Sequence, residues 1–286
     1  MQANFTERAY EQFLNPMLWH EHISVPPSEF VEKRLGIDVM MLSFNQTLWG
    51  LFGRQRTGVK VTRELWEGVN HDLDQIDMPY LFHANLFIQH KRPDFIRTKK
   101  GGEFSFWKKH YFRYDIDENQ NDSLAVLENN LGDSGLVVYA CPATAQIDEL
   151  RQFAEQGSLV ENSNFVNPSL LSGHSKYTFI LGGTTGRAFS EPKEISSLNL
   201  NDEIKKLMKI PKRHKRNSDF IKELAMTIEK SADESNSIIK KRYHDIVRMY
   251  SKEWVNDSEK DEKDLGKYFV KIFSFLLVTD LTWKIV

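Results

Sequence analysis

The stretch of this chain with the clearest chemical pattern is Tyr80–Pro93, YLFHANLFIQHKRP. Its residues alternate with a period of two, so the stretch is predicted to be a β-strand with two different faces. Gln89 and Lys91 lie on the more polar face, and neighbours on one face of a strand stand about 6.6 Å apart. An amide oxygen and an ammonium group at this spacing can converge on one phosphate or on one metal-bound water.

Composition and charge limit the classes of protein to which the chain can belong. It has 286 residues, of which 12% are aromatic, and this favours a packed globular protein over a disordered one. The formal net charge is −2, so binding to nucleic acid must come from local basic patches and not from an overall positive field.

Three further features of the sequence predict a cytoplasmic location. The single cysteine, Cys141, excludes an internal disulfide and a cysteine-rich zinc site, and it fits a reducing compartment. The opening residues lack the layout of a secretory signal. The apolar run YFVKIFSFLLVT is short and contains Lys271, so we expect a buried helix there and no membrane span.

The periodicity of the sequence predicts an α/β fold with a helical C-terminal region. We expect an N-terminal extension over 1–27, an α/β core over 28–195 and helices over 196–286. In the core, the predicted order is helix, two or three strands, helix, strand, helix and strand, which is typical of helices packed on a sheet. Predicted strands include 80–93, 104–116, 135–143 and 176–181; predicted helices include 28–53, 118–132 and 146–157; and 161–175 and 182–192 are predicted loops.

This order of elements, with Gln89-His90-Lys91 on a strand, resembles the restriction-endonuclease-like superfamily of PD-(D/E)xK nucleases over about residues 28–141. Branches of that superfamily similar to the Mrr-type nucleases carry Gln-x-Lys where others carry Glu-x-Lys. The runs FIQHKRP, YFRYDI and VVYACPA also resemble a group of bacterial phage-defence proteins. The resemblance implies a central mixed sheet flanked by helices.

The resemblance also implies a metal site. Glu32, Asp77 and Gln89 would bind Mg²⁺ or Mn²⁺, and Lys91 would position the attacking water and stabilise the pentavalent phosphate. If Asn85 takes the place of Asp77, the site has one charge fewer. The alternative members of the site are Glu29, Asn85, Asp72 and Asp74.

Short basic runs are the candidate DNA-binding surface, because lysine and arginine neutralise backbone phosphates. The run KKRYH at 240–244 is a further basic patch. The residues assigned to DNA binding are Lys99, Lys100, Lys108, Lys109, Lys212, Arg213, Lys215 and Arg216.

Three functional hypotheses follow from these residues and this resemblance. The first is a metal-dependent DNA endonuclease, or the nuclease subunit of a bacterial antiviral defence system, which hydrolyses phosphodiester bonds. Such an enzyme is expected to have a regulatory protein partner or to form a homo-oligomer that restrains it. The second is a catalytically inactive nuclease-like protein that binds DNA or a partner protein. The third is an interaction protein whose helical tail is the contact surface.

Overall fold

The computed structural model describes residues 1–18, 84–183, 185–188, 193–211, 217–251 and 266–285. The helices are α1 (Glu7–Met17), α2 (Phe104–Trp107), α3 (Glu118–Leu131), α4 (Ile147–Glu155), α5 (Leu200–Lys209), α6 (Asn217–Glu234), α7 (Ser237–Ser251) and α8 (Gly266–Thr279). The strands are β1 (Asn85–His90), β2 (Asp94–Ile96), β3 (Tyr111–Asp115), β4 (Gly135–Pro142), β5 (Ser163–Val166), β6 (Lys176–Phe179), β7 (Thr185–Ala188), β8 (Lys193–Ser196) and β9 (Thr282–Ile285). The predicted mixed α/β class is therefore confirmed.

The first sheet contains four strands in the order β5-β4-β1-β9. β1 runs parallel to β4 and antiparallel to β9, so both edges of β1 are paired along Asn85–Ile88. Every residue of β1 is buried. The prediction of a polar strand face needs correction on this point, because both faces of β1 are covered and Lys91 follows the strand instead of belonging to it.

The second sheet is antiparallel, with five strands in the order β2-β3-β6-β7-β8. It packs on the first sheet through aromatic side chains. The ring of Tyr114 on β3 lies 6.0 Å from the ring of Tyr139 on β4 and 5.4 Å from that of Tyr177 on β6. All three rings are buried, so the aromatic residues that alternate in the sequence fill the space between the two sheets.

Helix α3 and strand β4 follow the sequence prediction closely. The side chain of Asp117 caps α3 by accepting from the backbone N–H of Gln120, and such a cap satisfies a donor that has no partner within the helix. Leu124, Leu127 and Leu131 form the buried stripe. Gly132 ends the helix with a φ of +49°, a conformation that glycine adopts without strain.

The helical C-terminal region shares its core with the rest of the chain. α6 and α8 pack on α3, and β9 completes the first sheet beside β1. Phe275 of α8 and Ile228 of α6 are fully buried in the same apolar cluster as Leu86 of β1. None of the helices in the described residues is long and apolar enough to cross a membrane.

The structure differs from the sequence prediction in three segments. The predicted loop at 161–175 contains β5, and the predicted loop at 182–192 contains β7. The predicted strand at 104–116 is a strand only from Tyr111 onward, because 104–107 form the short helix α2. The predicted helix at 28–53 lies outside the described residues.

Candidate functional site

Gln89 and Lys91 both contact a third residue, Gln120. The ammonium group of Lys91 donates to the amide oxygen of Gln120 at 3.4 Å. The terminal amides of Gln89 and Gln120 approach within 3.1 Å. Gln120 lies in the first turn of α3, so this helix brings its N-terminal end to the point where β1 ends.

The fold places this group at the carboxyl end of two parallel strands. The backbone N–H of Lys91 donates to Ala140 O at 2.8 Å, which extends the pairing of β1 with β4 by one residue. Open α/β sheets often bind ligands outside the carboxyl ends of their parallel strands. Lys91 is therefore at a location where many folds of this class do their chemistry.

Lys91 is half-buried and has no carboxylate partner among the described residues. Its ammonium group lies 5.4 Å from the centre of the Tyr139 ring, which is within the range of a cation–π contact. A cation that has lost part of its hydration without gaining a counter-ion destabilises the folded state. Such a residue is a candidate for binding an anion that the protein meets only in function.

The side chain of Gln89 also binds the backbone at the end of α8. With its amide nitrogen turned toward them, Gln89 donates to Thr279 O and to Asp280 O, each at 2.9 Å. Carbonyl oxygens only accept hydrogen bonds, so this orientation gives both carbonyls a donor. Gln89 is 2% exposed, and its amide therefore fixes the end of α8 to β1.

Asn85, the proposed substitute for Asp77, lies at the other end of β1, about 13 Å along the strand from Gln89. Both ends of its side chain are engaged by the fold. Its amide nitrogen donates to Ser134 O at 3.2 Å, and its oxygen accepts from the indole N–H of Trp283 at 2.9 Å. The structure therefore does not bring Asn85 to Gln89 and Lys91.

The remaining proposed metal ligands lie outside the described residues, and their assignment stays a prediction. Among the described residues, no group of three or more His, Cys, Asp or Glu is placed to hold a metal ion. Gln89, Lys91 and Gln120 together contribute amides and one cation, whereas Mg²⁺ sites in proteins are built on carboxylates. The predicted positions without a description are Glu29, Glu32, Asp72, Asp74 and Asp77.

Buried titratable groups lie next to this site, on the side of α1. His90 is 5% exposed, and its ring meets that of Tyr10 edge-on at 5.6 Å. Burial, with a smaller effect from Lys284, lowers the pKa of His90 to about 3. Burial also raises the pKa of the Cys141 thiol well above its usual value. His90 and Cys141 are therefore neutral core residues, and a thiolate nucleophile is not favoured there.

A second candidate site is the segment 97–110, which connects β2 to β3 and is called the basic hairpin below. Its five lysines and arginines are exposed, and none of them forms an ion pair with another described residue. They are Arg97, Lys99, Lys100, Lys108 and Lys109. The four lysines among them were predicted to bind DNA, and the hairpin brings them onto one loop.

The only carboxylate of the basic hairpin does not neutralise these lysines. Glu103 is 4% exposed, and its Oε2 lies 2.9 Å from Nε of Arg187 on β7. The two atoms are close without the alignment of a directed hydrogen bond, so the contact is an ion pair. Burial raises the pKa of Glu103, and Arg187 opposes that rise. The exposed cations therefore keep their positive field.

An aromatic pair lies within the basic hairpin. Phe106 is 38% exposed, and the ring of Trp107 meets it edge-on at 4.8 Å. The guanidinium group of Arg187 lies 4.0 Å from the centre of the Phe106 ring. Aromatic rings among exposed cations are the two components of surfaces that bind nucleic-acid strands. The predicted DNA-binding residues 212–216 lie outside the described residues.

No protein-family model, curated protein or solved structure matches this chain.

Sequence reasoning missed residues at both sites. Gln120 was read as part of a helix, and its role depends on the pairing of β1 with β4, which places the start of α3 beside Lys91. Phe106 and Trp107 were assigned to a strand. A pair of lysines lies on each side of this aromatic segment. Apolar strands are seldom flanked by lysine pairs, so this pattern could have indicated an exposed loop.

Proposed function

We propose that this protein binds DNA through the basic hairpin. The observation that carries the proposal is the set of five exposed cations on one loop, with no acidic partner among the described residues and with an exposed aromatic ring between them. Like charges on one loop repel each other, and a bound polyanion removes that repulsion while releasing its own counter-ions. This argument supports a nucleic acid more strongly than a neutral protein partner.

Binding of a labelled duplex and of a labelled single strand, followed by fluorescence anisotropy, tests the proposal. The double variant Lys99→Gln/Lys100→Gln is expected to weaken binding several-fold. The matched control is Lys205→Gln/Lys209→Gln on α5, where two exposed lysines are removed from another element. Equal loss in both variants would point to a nonspecific charge effect, and no binding by the wild-type protein would refute the proposal.

The second candidate is the metal-dependent endonuclease that the resemblance implies. The observation that favours it is Lys91, a half-buried cation at the carboxyl end of β1 and β4 that contacts Gln120 and has no carboxylate partner in the described part of the chain. We infer that Glu32 and Asp77 would supply the carboxylates, while a bound Mg²⁺ would activate a water and offset charge on the phosphate.

The endonuclease candidate has its own test. Plasmid and linear DNA are incubated with the protein in Mg²⁺, in Mn²⁺ and in chelator, and Lys91→Ala is compared with Lys205→Ala. Metal-dependent cutting that only the Lys91 substitution removes would support the enzyme. DNA binding without cutting under all three conditions would leave the protein as a DNA-binding protein, related to the catalytically inactive hypothesis.

A further inference from the structure

Hydrogen bonds to the second sheet hold the neighbours of the exposed Phe106 ring in place. The indole N–H of Trp107 donates to Thr178 Oγ1 on β6 at 3.2 Å. Thr178 in turn donates to Arg187 O at 3.1 Å. The second sheet therefore fixes both the residue next to Phe106 and the residue stacked on it.

The backbone after α2 supports this arrangement. Lys108 has a φ of +53°, and its N–H donates to Phe104 O at 2.8 Å. A lysine rarely adopts this left-handed conformation, and the strain persists only where surrounding contacts enforce it. The turn ends the short helix directly after Trp107, so Lys108 and Lys109 follow immediately after the aromatic pair.

The guanidinium group of Arg187 lies over the Phe106 ring, and the Trp107 ring stands nearly perpendicular to that ring, with centroids 4.8 Å apart. The exposed 38% of Phe106 is therefore available to a flat partner from outside. A nucleobase can stack on such a ring only when the base is not already stacked within a duplex. The lysines of the basic hairpin would meanwhile contact the phosphates of the same strand.

We propose that the basic hairpin takes a single-stranded segment of nucleic acid, with one unpaired base stacked on Phe106. This inference rests on the proposed function and names the class of nucleic acid that the site prefers. Arg187 is a positioning residue in this arrangement, because it holds the ring from the side opposite to the base.

The test measures three probes of equal length at one salt concentration: a single-stranded oligonucleotide, its duplex, and an abasic single strand. The wild-type protein is expected to bind the single strand most tightly. Phe106→Leu is expected to weaken binding of the single strand by roughly 5- to 150-fold, the loss expected for one base–aromatic stack. Binding of the duplex and of the abasic strand is expected to change less than about twofold, since those probes offer no free base.

Two controls separate this inference from the proposed function and from a folding defect. Phe106→Trp keeps a stacking surface and is expected to retain the preference for the single strand, whereas Leu170→Ala removes an exposed apolar residue elsewhere and is expected to change nothing. If Lys99→Gln/Lys100→Gln weakens binding but Phe106→Leu affects all three probes equally or not at all, the stacking inference is wrong while DNA binding stands. If the wild-type protein binds none of the three probes, both proposals fail.

Discussion

Lys91 donates its hydrogen bond to Gln120, a neutral amide, at 3.4 Å, and no described carboxylate pairs with it. The described residues thus hold a half-buried cation beside Tyr139 without a counter-ion of their own. Natural proteins keep such unfavourable groups mainly where function requires them. The stability of the protein and its activity are therefore expected to respond to Lys91 in opposite directions.

Replacing Lys91 with methionine is expected to raise the free energy of unfolding by about 1 kcal/mol, because the side chain keeps its length and loses a poorly compensated charge. Urea denaturation measures this change. Lys205→Met, at an exposed position of α5, is the control and is expected to stay within about 0.5 kcal/mol of the wild-type protein. A clear destabilisation by Lys91→Met would show that the ammonium group is well compensated.

Replacing Gln89 with leucine is expected to destabilise the fold by about 1–3 kcal/mol, because the carbonyls of Thr279 and Asp280 lose a donor. Gln89→Glu is expected to cost more at neutral pH, since a carboxylate would face two carbonyl oxygens. Part of this cost should be recovered in acid, where the protonated carboxyl can donate.

Thermal and urea unfolding at two pH values measure the effects at Gln89, with Gln152→Leu on the exposed side of α4 as the control. If Gln89→Leu left the free energy of unfolding unchanged and Mg²⁺ stabilised Gln89→Glu, the assignment of Gln89 as a metal ligand would be favoured.

The stability of the protein is expected to fall as the pH decreases from about 6.5 toward 3, because of His90. Burial holds the pKa of His90 at about 3 in the folded chain, whereas an unfolded histidine takes up a proton near pH 6.5. The unfolded state therefore binds more protons in this range, and linkage predicts a loss of about 2 kcal/mol at pH 5 from this residue.

The pH effect is measured from urea denaturation between pH 7.5 and 4.5, with His90→Phe beside the wild-type protein. The variant should lose less stability in acid, since it has no group to protonate. His110 is exposed, and His110→Phe is therefore the matched control that should retain the wild-type pH dependence. Parallel curves for His90→Phe and the wild-type protein would contradict a neutral buried His90.

DNA binding through the basic hairpin is expected to weaken with salt in proportion to the number of phosphates contacted. Removing Lys99 and Lys100 should reduce the slope of log affinity against log salt by about 1.8 for a duplex and by about 1.4 for a single strand. Anisotropy titrations at four salt concentrations give this slope. A slope identical to that of the wild-type protein would mean that these two lysines do not touch phosphates.

Local periodicity predicted the elements whose pattern is complete within a short segment. The leucine spacing and the final glycine of α3 identify that helix, and the continuous apolar run of β4 identifies a central strand. β5 was missed because asparagine and serine flank its short apolar core, and β7 was missed because glycine and threonine suggested a loop. Tertiary pairing with neighbouring strands outweighs weak local propensity in both cases.

The sequence predicted that Gln89 and Lys91 belong to one site, and in the structure both contact Gln120. It did not predict that Gln89 would bind the end of α8, because this contact joins residues far apart in the chain. Gln120 was missed for the same reason. The lysines of the basic hairpin were predictable from composition, whereas the stacking of Arg187 on Phe106 depends on the neighbouring strands β6 and β7.

The pairing of β1 with β9 affects how the chain folds during synthesis. Trp283 and Asn85 are 198 residues apart, yet their side chains share a hydrogen bond across this pair. During synthesis, the second edge of β1 therefore cannot pair until residues 282–285 have been made. Until then β1 presents an apolar, unpaired edge, which nascent chains must protect from other strands. Newly made copies should thus depend on chaperone shielding longer than proteins whose neighbouring strands are close in the chain.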